Sequence, residues 1–417
     1  MSSDPRLDDI REAATTLAAL DILHTPTVPA GRLSALLGAT LTLKLENLQR
    51  TGSFKVRGAG VKLAALAPSE RARGVIAMSA GNHAQGVAYH AQRMGIPATI
   101  VMPRATPFTK IERTRSLGSL VVMAGETLSE AAEHARALAA RDGLVFIHPY
   151  DDRLIIAGQG TVALELLADA PELDALIVPI GGGGLMAGCA IAARAIAPHL
   201  QIIGVQSALY PAMKRALAGD MTESPAGPTL AEGIAVKMPG ELTRRIIAQY
   251  VDEILLVEET TIEQAVNLLL VEEKLLAEGA GAAGIAAVLA HRDRFAGKRV
   301  GIVVCGGNID ARVTASILMR GLVSSGRLAR LRIQIPDAPG MLARVATAIA
   351  GAGGNIVEIV HQRMFYDVPV TRADVDVVLE TRGAEHLETI KAALREAGLG
   401  VVELAQGSTT ELQARER

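Results

Sequence analysis

A lysine set among apolar residues at the start of a helix can form an imine, and Ser53-Phe54-Lys55-Val56-Arg57-Gly58-Ala59 supplies one. An amine attacks a carbonyl only when deprotonated. Apolar burial favours that form by lowering the pKa, so Lys55 is placed to hold an aldehyde cofactor as a Schiff base. Two further segments join it. Ser79-Ala80-Gly81-Asn82-His83-Ala84-Gln85-Gly86 follows an apolar run and precedes a helix, whose first amides would face an anion such as a carboxylate. Gly181-Gly182-Gly183-Gly184-Leu185 repeats the arrangement, and four successive glycines let the backbone approach a phosphate and aim its amides at it. Singly, each feature has an ordinary reading: most lysines are solvated surface charges, and most glycine-bearing loops are tight turns. Three of them in this order, each at a strand-to-helix junction, point to one ligand site.

The elements that must position these residues are legible from periodicity. Leu41, Leu43 and Leu45 alternate with Thr42, Lys44 and Glu46 as a strand does, and Thr51-Gly52-Ser53 supplies a turn and an expected helix cap ahead of Lys55. Lys55 is therefore expected just past the carboxyl end of a strand, where open α/β sheets bind ligands. Apolar runs at 75–78, 98–102, 120–123, 144–147, 175–180, 202–205, 254–257 and 300–304 alternate with helical segments. That rhythm predicts a parallel, doubly wound sheet.

At about 150 residues per domain, 417 residues give two to three domains. The formal charge of −2 comes from scattered side chains, which predicts no surface for nucleic acid or for an anionic membrane. Cys189 and Cys305 are the only cysteines and stand far apart, so neither a disulfide framework nor a cysteine metal site is expected. Tryptophan is absent and aromatics are scarce, which leaves an aliphatic core. Residues 1–11 are polar and acidic, and the uncharged run 175–193 holds Pro179 and four glycines, which suits a buried strand, loop and helix start better than a membrane span. The expected location is cytoplasmic.

SFKVRGA, SAGNHAQG and GGGGL, with EGIAVK at 232–237, EGAGA at 278–282 and CGGNID at 305–310, make the chain resemble the threonine ammonia-lyases (threonine dehydratases). These are fold-type II pyridoxal-phosphate enzymes, the group of serine racemase, cysteine synthase and the tryptophan synthase β chain. The resemblance runs from Thr25 to Gly321 and implies a catalytic region at 1–323, two α/β lobes with the smaller inserted at roughly 50–150. It further implies that Lys55 binds pyridoxal 5'-phosphate and then takes the Cα proton. Gly181, Gly182, Gly183, Gly184 and Leu185 would hold the phosphate, Asn82 the ring oxygen, Cys305 the ring nitrogen, and Phe54 would lie beside the ring. Ser79, Ala80, Gly81, Asn82 and His83 would receive the substrate carboxylate, His83 shaping the loop without moving a proton.

The expected reaction is β-elimination from L-threonine, giving 2-oxobutanoate and ammonia, with L-serine as a slower substrate. Related enzymes place serine, threonine or cysteine where Cys305 stands; a neutral partner there favours prompt elimination over transamination or racemisation, while the other role open to this thiol is redox sensing. Racemases of the group carry a second serine where this chain has Ala80, and a methyl group moves no proton. Residues 205–210 offer no carboxylate for a racemase-type divalent metal, so no metal is expected, and Gly81-Asn82-His83 departs from the GNT of cysteine synthases. The alternatives are an ammonia-lyase for serine or 3-hydroxyaspartate, a serine racemase, or a non-catalytic sensor. Gly182-x-Gly184-x-x-Ala187 loosely fits a dinucleotide fingerprint, but neutral Gln206 stands where an acidic ribose ligand is expected.

After Gly321 the pattern changes. Residues 324–329 read as a linker and 330–405 as a βαββαβ (ferredoxin-like) module, with strands at 331–335, 355–364, 373–381 and 401–404 and helices at 341–352 and 385–397. This resembles an ACT domain, which binds amino acids between paired copies. Asp337, Pro339, Gly340, Gly354 and Asn355 match its ligand-loop positions, with isoleucine or valine as first effectors to consider. A pairing module without a ligand is the other reading, and either implies a homodimer or homotetramer. Residues 406–417 are expected to be a disordered tail.

Overall fold

The computed structural model describes residues 4–224, 227–362 and 371–404. The chain divides into two compact units, Met1–Asp310 and Ala311–Arg417.

The first unit is α/β with two sheets. Its larger sheet has the strand order Thr27–Pro29, Thr40–Leu45, Arg299–Val304, Ala175–Pro179, Gln201–Ser207, Glu253–Val257. All neighbours are parallel except the first pair. That antiparallel edge strand was not legible: it has three residues and ends on a proline, which cannot donate to a ladder. The smaller sheet, order Leu120–Met123, Ala98–Met102, Val75–Met78, Val145–Phe146, is wholly parallel. Its last strand has two residues, where four were expected at 144–147. Parallel strands deliver their loops to one edge of each sheet. Met78 leads into Ser79, Pro179 into the four glycines, and Val304 into Cys305.

The helices that follow are stacked through glycines. A Cβ on Gly158 would lie 2.6 Å from Gly58 Cα, and one on Gly188 would lie 2.5 Å from Gly160 N. Helix Arg153–Asp169 is thus packed backbone to backbone against helix Lys55–Ala64 on one side and helix Gly184–Ile196 on the other. The helix that begins at the lysine and the helix that begins at the glycine loop share one support.

A buried charge cluster fixes the same helix to the large sheet. The Arg57 guanidinium donates from Nε and Nη2 to Glu46 at 2.8 Å each, and from Nη1 and Nη2 to Glu165 at 2.6 and 2.8 Å. Lys44, at the end of its strand, pairs with Glu165 at 2.7 Å. Lys44, Glu46 and Arg57 are each no more than 1% exposed. Two cations and two carboxylates cancel, and both carboxylates meet the planar guanidinium in bidentate fashion, which is what makes burial tolerable.

The second unit begins with helix Ala311–Ser324 and continues as strand Leu328–Pro336, helix Met341–Gly351, strands Asn355–Gln362 and Arg372–Glu380, helix Ala384–Glu396 and strand Gly400–Glu403. The antiparallel sheet has the order Asn355–Gln362, Arg372–Glu380, Leu328–Pro336, Gly400–Glu403. Leu331, Ile333 and Ile335 share one face with Val375, Val377 and Leu379, buried against Val345, Ile349, Ile390 and Leu394 of the helices. Residues 363–364 of the expected second strand, and the expected tail at 406–417, lie outside the described residues.

Arg57→Leu is expected to destabilise the protein by roughly 3–5 kcal/mol, because it leaves buried Glu46 with only the Thr25 hydroxyl and Glu165 with only Lys44. Urea unfolding followed by circular dichroism measures this; a loss under about 1 kcal/mol would show that the cluster is not a structural clamp.

Candidate active site

Lys55 opens its helix, directly after Phe54. The preceding turn forms as expected: the Gly52 N–H donates to the Gln49 carbonyl at 2.7 Å, with Gly52 at φ +70°. Ser53, however, caps nothing. Its backbone is drawn into a bridge with Gly306, the Phe54 N–H donates to the Cys305 carbonyl at 3.1 Å, and the Ser53 hydroxyl is buried without a partner among the described residues. Pairing with the strand end at 305–306 has displaced capping and brings the lysine beside Cys305.

The Lys55 ammonium donates to the Pro149 carbonyl at 2.8 Å and stands 5.2 Å from the Phe54 ring centroid. Burial lowers its pKa to about 8, against the opposing pulls of Cys305 and Glu278. An amine with that pKa has a sizeable free-base fraction near neutrality, as imine formation requires. Burial pushes the Cys305 thiol well above its usual range and outweighs the pull of Lys55, so the thiol stays protonated and does not have the low pKa of a redox sensor.

Tyr150, next to the carbonyl that holds Lys55, supports the glycine loop. A Cβ on Gly182 would lie 2.2 Å from the Tyr150 ring, and Gly183 has φ +98°, which a side chain disfavours. Thr243 braces the loop from behind, its hydroxyl donating to the Gly182 carbonyl at 2.7 Å while its own N–H donates to Asp151 at 3.0 Å. The first intrahelical bond after the loop runs from the Ala187 N–H to the Gly183 carbonyl at 2.8 Å, leaving the amides ahead of it without an acceptor in the helix. The result is a cradle lined by backbone and shaped for a phosphate.

The second loop has the same form. Ser79 follows the strand Val75–Met78, its hydroxyl accepts from the Gly81 N–H at 3.1 Å, and helix Asn82–Met94 makes its first bond from the Gln85 N–H to the Gly81 carbonyl at 3.4 Å. The amides around Ala80, Asn82 and His83 are therefore placed for a carboxylate. Buried His83 bonds the Ile147 carbonyl at 3.0 Å, and burial lowers its pKa to about 3. It is neutral and engaged with backbone, consistent with a loop-shaping part.

Asn82 donates from Nδ2 to Glu278 at 2.8 Å and accepts from Asn308 Nδ2 at 2.8 Å. Burial raises the Glu278 carboxyl to about 7. Facing it are Glu232 and Lys110, an ion pair that joins helix Phe108–Arg115, beside the smaller sheet, to the short helix Glu232–Ile234. Pro149, Tyr150, Thr243, Glu278 and Asn308 were not singled out from the sequence. Glu278 and Asn308 sit in motifs that were, but no spacing told which polar group would meet Asn82. Among the described residues no cluster of three metal-ligating side chains occurs, and no helix is long and apolar enough to cross a membrane.

The five positions expected to meet an effector are not brought together within one chain. Asp337 follows Pro336, whose strand partner is Arg372, whereas Asn355 pairs with Glu380, the partner of Leu328 at the other end of that nine-residue strand. Asn355 instead donates to Glu380 at 3.2 Å. Gly340, at φ +87°, turns the chain into its helix.

The residues fit pyridoxal phosphate: an amine of lowered pKa for the aldehyde, a cradle closed to any Cβ for the phosphate, and a neutral thiol rather than a carboxylate at the strand end. Comparisons with known proteins agree. Residues 18–306 match the family described as pyridoxal-phosphate dependent enzyme, and 329–399 match the ACT domain. The L-threonine ammonia-lyase of Thermotoga maritima is 45% identical over 95% of this chain and 98% of its own. Among solved structures, threonine deaminase isoform 2 from Solanum lycopersicum superposes with a TM-score of 0.71 at 34% identity, covering 76% of this chain and 90% of that one. Maize serine racemase superposes at 0.72 with 34% identity, covering 77% and 99%.

Proposed function

The chain belongs to the pyridoxal-phosphate dependent enzyme family and carries an ACT domain, and from this we propose that it is an L-threonine ammonia-lyase, converting L-threonine to 2-oxobutanoate and ammonia and L-serine, more slowly, to pyruvate. The observation that carries the substrate is the likeness to the Thermotoga maritima enzyme over nearly the whole of both chains.

The positions support a part for each residue. Lys55 would hold the cofactor through its aldehyde, and its free base is placed to take the Cα proton of the substrate. The bound cofactor supplies an electron-poor ring that takes up the electron pair left behind. Gly181 to Gly184 and Leu185 would hold the phosphate through their amides, with Tyr150 and Thr243 fixing the loop. Ser79 and the amides from Ala80 to His83 would hold the substrate carboxylate, and Phe54 would lie beside the ring. Cys305, a thiol kept protonated by burial, would face the ring nitrogen, and a neutral partner there would favour loss of the β-hydroxyl over a long-lived negative charge. Water hydrolyses the released unsaturated amine, through its imine tautomer, to the 2-oxo acid and ammonia. Ala80 carries no proton for the opposite face, which sets this chain apart from a two-base racemase.

The ACT domain supports regulation by an amino acid, isoleucine or valine being the first to test. Because Asp337, Pro339 and Gly340 stand at one end of the sheet and Gly354 and Asn355 at the other, a ligand touching both sets needs two copies of the chain. That favours a homodimer or homotetramer. A cytoplasmic location and a part in isoleucine biosynthesis or threonine catabolism complete the proposal.

Purified, cofactor-loaded protein is expected to release 2-oxo acid fastest from L-threonine, more slowly from L-serine and least from 3-hydroxyaspartate. A faster rate on either of the other two would reassign the substrate. Lys55→Ala should lower turnover by at least about a thousandfold and abolish the imine absorbance; retained turnover would mean that another lysine serves. Deleting the residues after Ser325 should remove any isoleucine or valine effect on the rate while the imine absorbance persists, and an unchanged response would place the effector site in the catalytic unit.

A further inference from the structure

A side-chain amide can sit either way round in the same space, and one that faces a cofactor oxygen is useful only in the orientation that presents N–H. The groups around Asn82 choose that orientation. Asn308 Nδ2 donates to the Thr51 carbonyl at 2.8 Å and to Asn82 Oδ1 at 2.8 Å, which uses both of its hydrogens. The Thr51 carbonyl can only accept, so Asn308 must turn its nitrogen this way, and Asn82 must answer with its oxygen. Asn82 Nδ2 is then left facing Glu278 Oε1, to which it donates at 2.8 Å, and it keeps one hydrogen. Glu278 has little room to be elsewhere. A Cβ on Gly306 would lie 2.5 Å from its Oε1, and one on Gly233 3.1 Å away. Gly306 belongs to CGGNID, Gly233 to EGIAVK, and Glu278 opens EGAGA, so three motifs meet at one carboxyl oxygen.

We infer that Glu278 is a positioning residue for the ring-oxygen contact: acting through Asn82, it holds the side-chain amide so that the one remaining N–H is presented to the cofactor. The inference rests on the reading of Asn82 given above. Lys55, Lys110, Glu232 and Cys305 face the same carboxyl, and ionised or protonated it keeps an oxygen that can accept from Asn82. The contact therefore acts as a hydrogen bond, whatever the charge.

The test is the pH titration of the visible absorbance of the cofactor-loaded protein, which follows the proton shared between the imine nitrogen and the ring oxygen. Asn82→Ala is expected to move the midpoint by about one pH unit, and Glu278→Ala by about half a unit or more in the same direction. The double variant should move no further than Asn82→Ala alone, and Glu278→Gln, which keeps an acceptor oxygen, should stay near the parent. Additive shifts in the double variant, or Glu278→Gln moving as far as Asn82→Ala, would show charge acting directly and overturn the inference. A shift with Asn82→Ala but none with Glu278→Ala would overturn it while leaving the reading of Asn82 intact; no shift with Asn82→Ala would overturn both. If Glu278→Ala does not fold, Glu278→Gln set against Asn82→Ala decides by the same criterion.

Discussion

Everything in the catalytic unit hangs on a buried arginine. Arg57 stands two residues after the lysine, on the same helix, and its guanidinium is closed by Glu46, just past the end of a strand of the large sheet, and Glu165 from the central helix. Burying such a group is costly unless every charge is met and every donor used. Here the requirement is satisfied only if strand, lysine helix and central helix take up one mutual arrangement. Apolar contacts alone would tolerate small slides between these elements; two bidentate carboxylates do not. The geometry at Lys55 thus inherits its definition from a cluster that touches no substrate.

The second constraint is electrostatic and local. The same burial that neutralises Lys55 near pH 8 also keeps Cys305 protonated, and it holds Glu278 near 7. One burial effect sets three titrations together, and the chain of hydrogen bonds from the Thr51 carbonyl through Asn308 and Asn82 to Glu278 gives the polar groups there their partners.

Much of this was legible in the sequence, because the chemistry-bearing residues lie in contiguous motifs at strand ends. Lys55, the Ser79 loop and the Gly181 loop are each encoded within a few residues, and alternating leucines or glycine runs announce the elements around them. What stayed hidden is what joins distant segments. The Ser53 side chain looked like a cap, since local pattern cannot show that the backbone would pair with Gly306, about 250 residues away. Glu278 and Asn308 were visible as letters in motifs, but their meeting with Asn82 is a tertiary fact. The three-residue edge strand at Thr27 carries no periodic signal at all. In the second unit the strand alternation was clear, whereas the separation of Asp337 from Asn355 along the sheet follows only from register.

The glycine crossings bear on how the catalytic unit forms. Each glycine inside a helix weakens that helix by roughly 0.5–1 kcal/mol relative to alanine, because the unfolded chain has more freedom to lose. Gly58 and Gly60 lie in one helix, Gly158 and Gly160 in the next, and Gly184 and Gly188 in the third. None of the three gains much from forming alone, and each becomes stable where the others lie against it. The three helices that frame the ligand cleft are therefore coupled in stability, each owing much of its own to the close approach its glycines allow.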